Sequence, residues 1–148
     1  MSLLERITEN STIIYKGKKY KVLGKALYTT QNDPESVYVK MLLEGHHVLV
    51  VSPEDKMAYF GKNEGRLASF DSFGASIDFN GKKFEYVNRD YQMVLKIEFG
   101  FPLDIEGEVE YWDYEAEDII VSIAVVSRTK ERADVVAEYI TFDDIEVC

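Results

Sequence analysis

Hydrophobic and polar residues alternate along most of the chain, in short runs that turn residues interrupt. The clearest run is residues 13–22, where apolar or aromatic residues alternate with polar ones on both sides of Lys16-Gly17. This period of two around a short Gly-containing turn is typical of a β-hairpin. The same pattern returns 64 positions later, in residues 77–86 around Asn80-Gly81. We therefore predict two equivalent hairpins and an internal duplication of the chain.

Other alternating or apolar runs extend the β pattern over residues 37–44, 46–51, 57–60, 90–99, 103–114 and 119–126. In residues 90–99, the alternation predicts a buried face formed by Tyr91, Met93, Leu95 and Ile97. Residues 129–140 fit both a helix and a strand. We favour a turn over residues 129–132 followed by a strand, because residues 139–142 are aromatic and β-branched and have high β propensity.

The number and spacing of these runs predict an all-β fold. About ten short strands, separated by turn residues every 8 to 12 positions, are typical of sandwiches and barrels. We expect one internally duplicated antiparallel domain over residues 13–148, with halves at about 13–74 and 75–148, folded as a two-sheet sandwich or a barrel. Residues 1–12 are predicted to form an N-terminal arm or a short helix. A chain of 148 residues is long enough to bury a core of its own.

Charge and cysteine content exclude several classes of function. The net charge is −10, and residues 75–148 carry 18 Asp and Glu against 7 Lys and Arg, so this half would repel nucleic acid. One cysteine, Cys148, cannot form a disulfide within the chain, which is typical of a reducing compartment. The N-terminus lacks a signal-peptide pattern, and no apolar run reaches the ~20 residues of a membrane helix. We predict a cytoplasmic protein that contacts neither membrane nor nucleic acid.

Acidic residues alternate along residues 103–114 and form the most distinctive charge pattern. We take six residues of this face as candidate ligand- or partner-binding residues: Asp104, Glu106, Glu108, Glu110, Trp112 and Tyr114. A solvated edge strand, kept from aggregating by its like charges, explains the acids without any function. The functional alternatives are a basic partner, a Ca²⁺ or Mg²⁺ site, a pair of acid/base carboxylates, or a sugar that stacks on the aromatic rings.

Motifs of common enzymes and cofactor sites are absent from the sequence. His46 and His47 are adjacent, so on a strand they point to opposite faces and cannot chelate one metal ion together. We therefore predict no catalytic residue, no metal ligand and no cofactor.

A family resemblance agrees with the β pattern. The spacing of Tyr15, Gly17, Tyr20, Val22 and Gly24, together with residues 105–108 (Ile-Glu-Gly-Glu), resembles a family of uncharacterised bacterial domains of unknown function. The similarity extends over residues 13–147. It implies an all-β fold and a bacterial source, and it assigns no functional residue.

Three functional hypotheses follow from the sequence. The first is a non-enzymatic binding or assembly module that contacts a protein partner or self-associates. The second is a barrel that binds a small molecule or a sugar, and the third is a carboxylate-based hydrolase. A filled core favours the first hypothesis, whereas a cavity of a few hundred Å³ lined by aromatic residues favours the second. Two facing carboxyl groups in a cleft favour the third.

Overall fold

The computed structural model describes residues 4–52, 57–65, 74–100, 109–126 and 129–148, and these residues form an all-β protein. The strands in these ranges are β1 (Thr12–Tyr15), β2 (Lys18–Thr30), β3 (Tyr38–Leu43), β4 (His47–Ser52), β5 (Met57–Asn63), β6 (Ser76–Phe79), β7 (Lys82–Phe99), β8 (Val109–Ala116), β9 (Ile119–Val126), β10 (Arg132–Thr141) and β11 (Ile145–Val147). The all-β prediction is confirmed. None of the described residues belongs to a helix with the length and apolar character needed to cross a bilayer.

Eight of the strands close into an antiparallel barrel. Around the ring the order is β2, β3, β4, β5, β10, β9, β8 and β7, and β7 then pairs with β2. The three remaining strands lie outside the ring: β1 and β11 extend from β2, and β6 extends from β7. Of the two predicted architectures, the structure is the barrel. Closure matters because it leaves no unpaired strand edge within the ring.

Both predicted hairpins are present with the same turn. In the first, Ile13 pairs with Tyr20, and the two central residues of the turn have positive φ, 49° at Lys16 and 76° at Gly17. In the second, Ile77 pairs with Phe84, and the φ values at the turn are 51° at Asn80 and 76° at Gly81. Two consecutive residues with positive φ define the tight turn that matches the twist of the flanking strands.

Strand order is the same in the two halves of the barrel. The β1–β2 hairpin precedes β3, β4 and β5, and the β6–β7 hairpin precedes β8, β9 and β10. The second strand of each hairpin also carries a register shift at a matching position, between Val22 and Gly24 in β2 and between Tyr86 and Asn88 in β7. This agreement extends the similarity seen in the sequence, and the internal duplication stays a prediction.

Each hairpin packs on the outer face of the barrel. Ile13 of β1 lies in one apolar cluster with Leu49 of β4. Ile77 of β6 lies in a second cluster with Tyr114 of β8 and Val121 of β9. Burying one large aliphatic side chain contributes about 1.5–3 kcal/mol. The two hairpins therefore stabilise the barrel from the outside and leave its interior to other side chains.

Residues 4–11 form turns that lie against this outer layer. Ile7 is 2% exposed and belongs to the same cluster as Ile13. The Nζ atom of Lys25 donates hydrogen bonds to the carbonyl oxygens of Leu4 and Ile7, at 2.7 and 3.2 Å, and forms an ion pair with Glu98 at 3.1 Å. These contacts attach the N-terminal segment to β2 and β7.

For residues 129–140 the structure has the strand and not the helix: β10 follows a turn that contains Lys130 at φ 63°. The predicted strand 119–126 is confirmed as β9.

The predicted buried face of β7 is wrong at two positions. Met93 and Leu95 are 41% and 53% exposed. The cause is a register shift against β2, where Leu27 faces Lys96 but Tyr28 faces Val94. Leu95 is the extra residue of this bulge, and a bulge changes which side chains face inward. Val94 packs against Tyr28 as a result.

Gly61 lies where the two halves of the barrel meet, so a substitution at this position tests how much barrel closure contributes to stability. A Cβ atom on Gly61 of β5 would lie 2.2 Å from the carbonyl oxygen of Val136 and 2.4 Å from the Cβ of Ala137, both in β10. We expect Gly61→Val to lower the free energy of unfolding by about 2–3 kcal/mol, because the two strands must move apart. Urea denaturation measures the change.

Gly74→Ala is the matched control, since a Cβ atom there has no heavy atom within 4 Å. Its effect should stay within ~0.5 kcal/mol. Equal midpoints for the Gly61 variant and the wild type would show that the close approach of β5 and β10 does not matter to stability.

Candidate functional site

The interior of the barrel contains a cavity of about 590 Å³. The side chains around it come from all eight barrel strands and from the β2–β3 connection. Those that carry polar groups are Thr30, Ser36, Tyr38, Lys40, Ser52, Tyr59, Gln92, Tyr111, Asp113, Glu115, Ser122 and Tyr139. Val48, Val50, Ala58, Ala124, Ala133 and Val135 supply the apolar part of the wall. The cavity wall is thus mixed in character, whereas the outer clusters consist mainly of apolar and aromatic residues.

Four tyrosines dominate the cavity wall: Tyr38, Tyr59, Tyr111 and Tyr139. The rings of Tyr59 and Tyr139 meet edge to face, with centroids 6.2 Å apart. Tyr38 stacks on Tyr28, with centroids 5.5 Å apart. Burial raises the pKa of all four phenols above the ordinary value of 10.0. The four hydroxyls therefore stay protonated and neutral at physiological pH, and their rings present aromatic surface to the cavity.

Two carboxyl groups project into the cavity from the same face of β8. The Tyr139 hydroxyl donates a hydrogen bond to Glu115 Oε1 at 2.5 Å. Asp113 is the cross-strand partner of Ser122 and accepts a hydrogen bond from its hydroxyl. Loss of hydration, with a smaller contribution from the negative charges of Glu115 and Asp90, raises the pKa of Asp113 to about 6, although the hydrogen bond from Ser122 lowers it. Asp113 therefore changes charge close to neutral pH.

Lys40 is the basic residue of the described cavity wall. It projects from β3, which two strands, β2 and β7, separate from β8 in the ring. Within the described part of the chain, Lys40 forms no ion pair with any acidic residue. Loss of hydration lowers the pKa of its amino group. The cavity thus has a basic wall and an acidic wall that do not neutralise each other.

The candidate residues proposed from the sequence lie elsewhere. Asp104, Glu106 and Glu108 fall outside the described residues. Glu110, Trp112 and Tyr114 occupy the outward positions of β8, so none of them lines the cavity.

Each of these three outward residues has a structural partner. Glu110 Oε2 accepts a hydrogen bond from Arg89 Nε at 2.7 Å, and the Arg89 guanidinium lies 5.2 Å from the centre of the Trp112 ring. Tyr114 is fully buried and donates from its hydroxyl to the carbonyl oxygen of Gly74 at 3.0 Å. These contacts hold β8 to its neighbours. They leave little of Tyr114 for a partner to contact.

The residues on the opposite face of the same strand were not predicted from the sequence. Tyr111, Asp113 and Glu115 occupy alternate positions of β8, and Lys40 interrupts the inward face of an otherwise apolar β3. Charged residues at inward positions of a strand were the available signal, since a buried charge is costly unless it has a function or a partner.

His47 and Cys148 make contacts that belong to the fold and not to the cavity. The ring of His47 packs against those of Tyr20 and Phe60, with centroids 4.7 and 5.6 Å away. Cys148 is exposed, and its backbone pairs with Thr12. No group of three His, Cys, Asp or Glu side chains in the described ranges is arranged to hold a metal ion.

Comparison with known proteins identifies a family. A family model described as "Domain of unknown function (DUF4178)" matches residues 9–133. The chain belongs to this family. The resemblance to a family without an assigned function is confirmed, and the matched span contains Tyr38, Lys40 and Asp113 but ends before Tyr139. Neither a curated protein nor a solved structure matches the chain.

The elevated pKa of Asp113 predicts an unusual dependence of stability on pH. A carboxyl group whose pKa is higher in the folded state than its usual 3.8 stabilises the fold when protonated, and this contribution is lost as pH rises through about 6. Asp113→Asn removes the loss, so between pH 4 and pH 7.5 its stability relative to wild type should rise by up to about 3 kcal/mol. Urea denaturation at several pH values measures this difference.

Ser122→Ala provides the matched variant for the same measurement. Without the Ser122 hydroxyl, the pKa of Asp113 in the folded state should rise further, so the loss of stability should continue to a higher pH and be larger at pH 7.5. A difference between Asp113→Asn and wild type that does not change with pH would show that Asp113 is ionised in the cavity as readily as in water.

Proposed function

We propose that this protein binds a small, partly apolar molecule inside the barrel and does not transform it. The observation that carries this proposal is the cavity of about 590 Å³ with its tyrosine-rich wall. Ligand sites usually have volumes of ~300–1,000 Å³, a largely apolar lining and a few polar groups that orient the ligand. An assembly module needs a filled interior instead, so the cavity favours the ligand-binding hypothesis over the assembly hypothesis.

Binding is a better proposal than catalysis because of how the two carboxyl groups are held. Asp113 and Glu115 project from one strand, so they lie side by side and do not face each other across a substrate. Tyr139 donates to Glu115, and Ser122 donates to Asp113. A hydrolytic carboxyl pair has one group on each side of the bond that breaks. Side-by-side carboxylates suit recognition of a positive or hydrogen-bonding group.

We also infer that the barrel arose by duplication of one hairpin-plus-three-strand unit. The matching turns, registers and bulges of the two halves support this origin. It bears on function because the inner faces of the two units have become different. The first half contributes Lys40, and the second contributes Asp113 and Glu115. A two-fold framework therefore encloses a cavity with two unlike walls.

Filling the cavity tests the proposed function. N-phenyl-1-naphthylamine is uncharged and fluoresces when it leaves water, and we expect wild type to bind it saturably. Ala124→Trp should weaken this binding at least tenfold, because Ala124 lies on the cavity wall and the larger ring occupies the space of the probe. Fluorescence titration measures the affinity, and near-ultraviolet circular dichroism shows whether the variant is folded.

Val125→Trp is the control, since Val125 is the next residue of β9 and lies outside the cavity wall. Ala133→Phe, on the neighbouring strand, repeats the test if the Ala124 variant does not fold. The proposal fails if wild type does not bind the probe, or if the inward and outward variants bind it equally well.

A further inference from the structure

The two charged walls specify the chemistry of the ligand more closely than the volume does. Lys40 lies on β3, and Asp113 and Glu115 lie on β8, three strands further around a ring of eight. Loss of hydration alone shifts the pKa of Lys40, and the charged groups that act on Asp113 are Glu115 and Asp90, not Lys40. The opposite charges are therefore separated by the cavity and do not pair across it.

A charge held away from water without an opposite charge beside it is unfavourable, so each wall favours a ligand group of opposite sign. A ligand with a single charge would pair with the charged residues of one wall and leave those of the other wall without an opposite charge. A ligand with a basic nitrogen at one end and an acidic oxygen group at the other would satisfy both. Its two charges must lie far apart, because the walls are not adjacent strands.

The tyrosines between the walls suit the middle and the basic end of such a molecule. Tyr111 lies on the same strand as Asp113, and Tyr59 and Tyr139 present their rings beside it. An ammonium group is attracted to the face of an aromatic ring, and an apolar or aromatic linker packs against the same surface.

From this arrangement we propose that the ligand is a zwitterion with separated charges, whose ammonium group pairs with Asp113 and Glu115 and whose acidic group pairs with Lys40. This assignment rests on the proposed ligand-binding function and adds the class of molecule. An α-amino acid with an uncharged side chain does not fit, because its ammonium and carboxylate groups are attached to one carbon atom and cannot reach both walls.

Four probes with the same benzene ring separate the contributions of the two ends. 4-(Aminomethyl)benzoate carries both charges at opposite ends of the ring, benzylamine carries only the positive charge, 4-methylbenzoate carries only the negative charge, and benzyl alcohol carries neither. Titration calorimetry at pH 7.5 measures each affinity. We expect 4-(aminomethyl)benzoate to bind wild type at least tenfold more tightly than any of the other three.

Variants of each wall then assign the ends. Lys40→Met should weaken binding of 4-(aminomethyl)benzoate about tenfold and leave benzylamine binding unchanged, since benzylamine does not use the basic wall. Asp113→Asn and Glu115→Gln should do the converse, weakening 4-(aminomethyl)benzoate and benzylamine but not 4-methylbenzoate. Met41→Leu is the control, because Met41 is the next residue of β3 and packs in the outer cluster. It should bind all four probes as wild type does.

The outcomes separate this inference from the proposed function. If N-phenyl-1-naphthylamine and benzyl alcohol bind but 4-(aminomethyl)benzoate gains nothing over benzylamine or 4-methylbenzoate, the cavity binds ligands and the zwitterion assignment is wrong. The assignment is also wrong if Lys40→Met leaves the binding of 4-(aminomethyl)benzoate unchanged, because the acidic group of the ligand would then not contact Lys40. If neither N-phenyl-1-naphthylamine nor any of the four probes binds wild type, the proposed function itself fails.

Discussion

The hydrogen bonds between β2 and β7 are the constraint on which the cavity depends. Without them, the other seven pairings of the ring would leave an open sheet, and its inward side chains would face water. Both strands are long, 13 and 18 residues, because each must pair with its hairpin partner at one end and with the other half of the barrel at the other. The register shifts in β2 and β7 bend the two strands between these roles. The enclosed space is thus a product of strand length and local irregularity.

Most of the strands could be predicted from the sequence because their signals are local. Alternation and the turn residues Lys16-Gly17 and Asn80-Gly81 specify both hairpins within ten residues each. The choice between a sandwich and a barrel is different, since it depends on whether residues 25–30 pair with residues 92–99. No short pattern records that pairing. The bulge that exposes Leu95 could not be predicted from the sequence either. It depends on the register of β7 against β2 and not on the alternation of residues within β7.

The cavity was harder to predict than the fold because its residues are far apart in the sequence. The alternating acidic residues predicted Glu110 as a binding residue, but its side chain pairs with Arg89 on the outer face of the barrel. Asp113 and Glu115 are on the other face of the same strand, and what they share with Lys40 is only that all three point inward. In the sequence, a single charged residue at an inward position resembles an irregularity in an apolar pattern. Only when the barrel closes do several such positions surround the same cavity and indicate a binding site.

The alternation of side chains along each strand has a consequence for how this protein can evolve. Lys40 lies between Val39 and Met41, which pack in the outer layer, and Asp113 lies between Trp112 and Tyr114, which do the same. The residues that pack in the outer layer and stabilise the barrel are therefore distinct from those that face the cavity, although the two sets alternate in the sequence. Selection can exchange the inner set while the outer set keeps the barrel intact. One shell can in this way be adapted to many different ligands, and the same separation makes the interior a natural target for redesign.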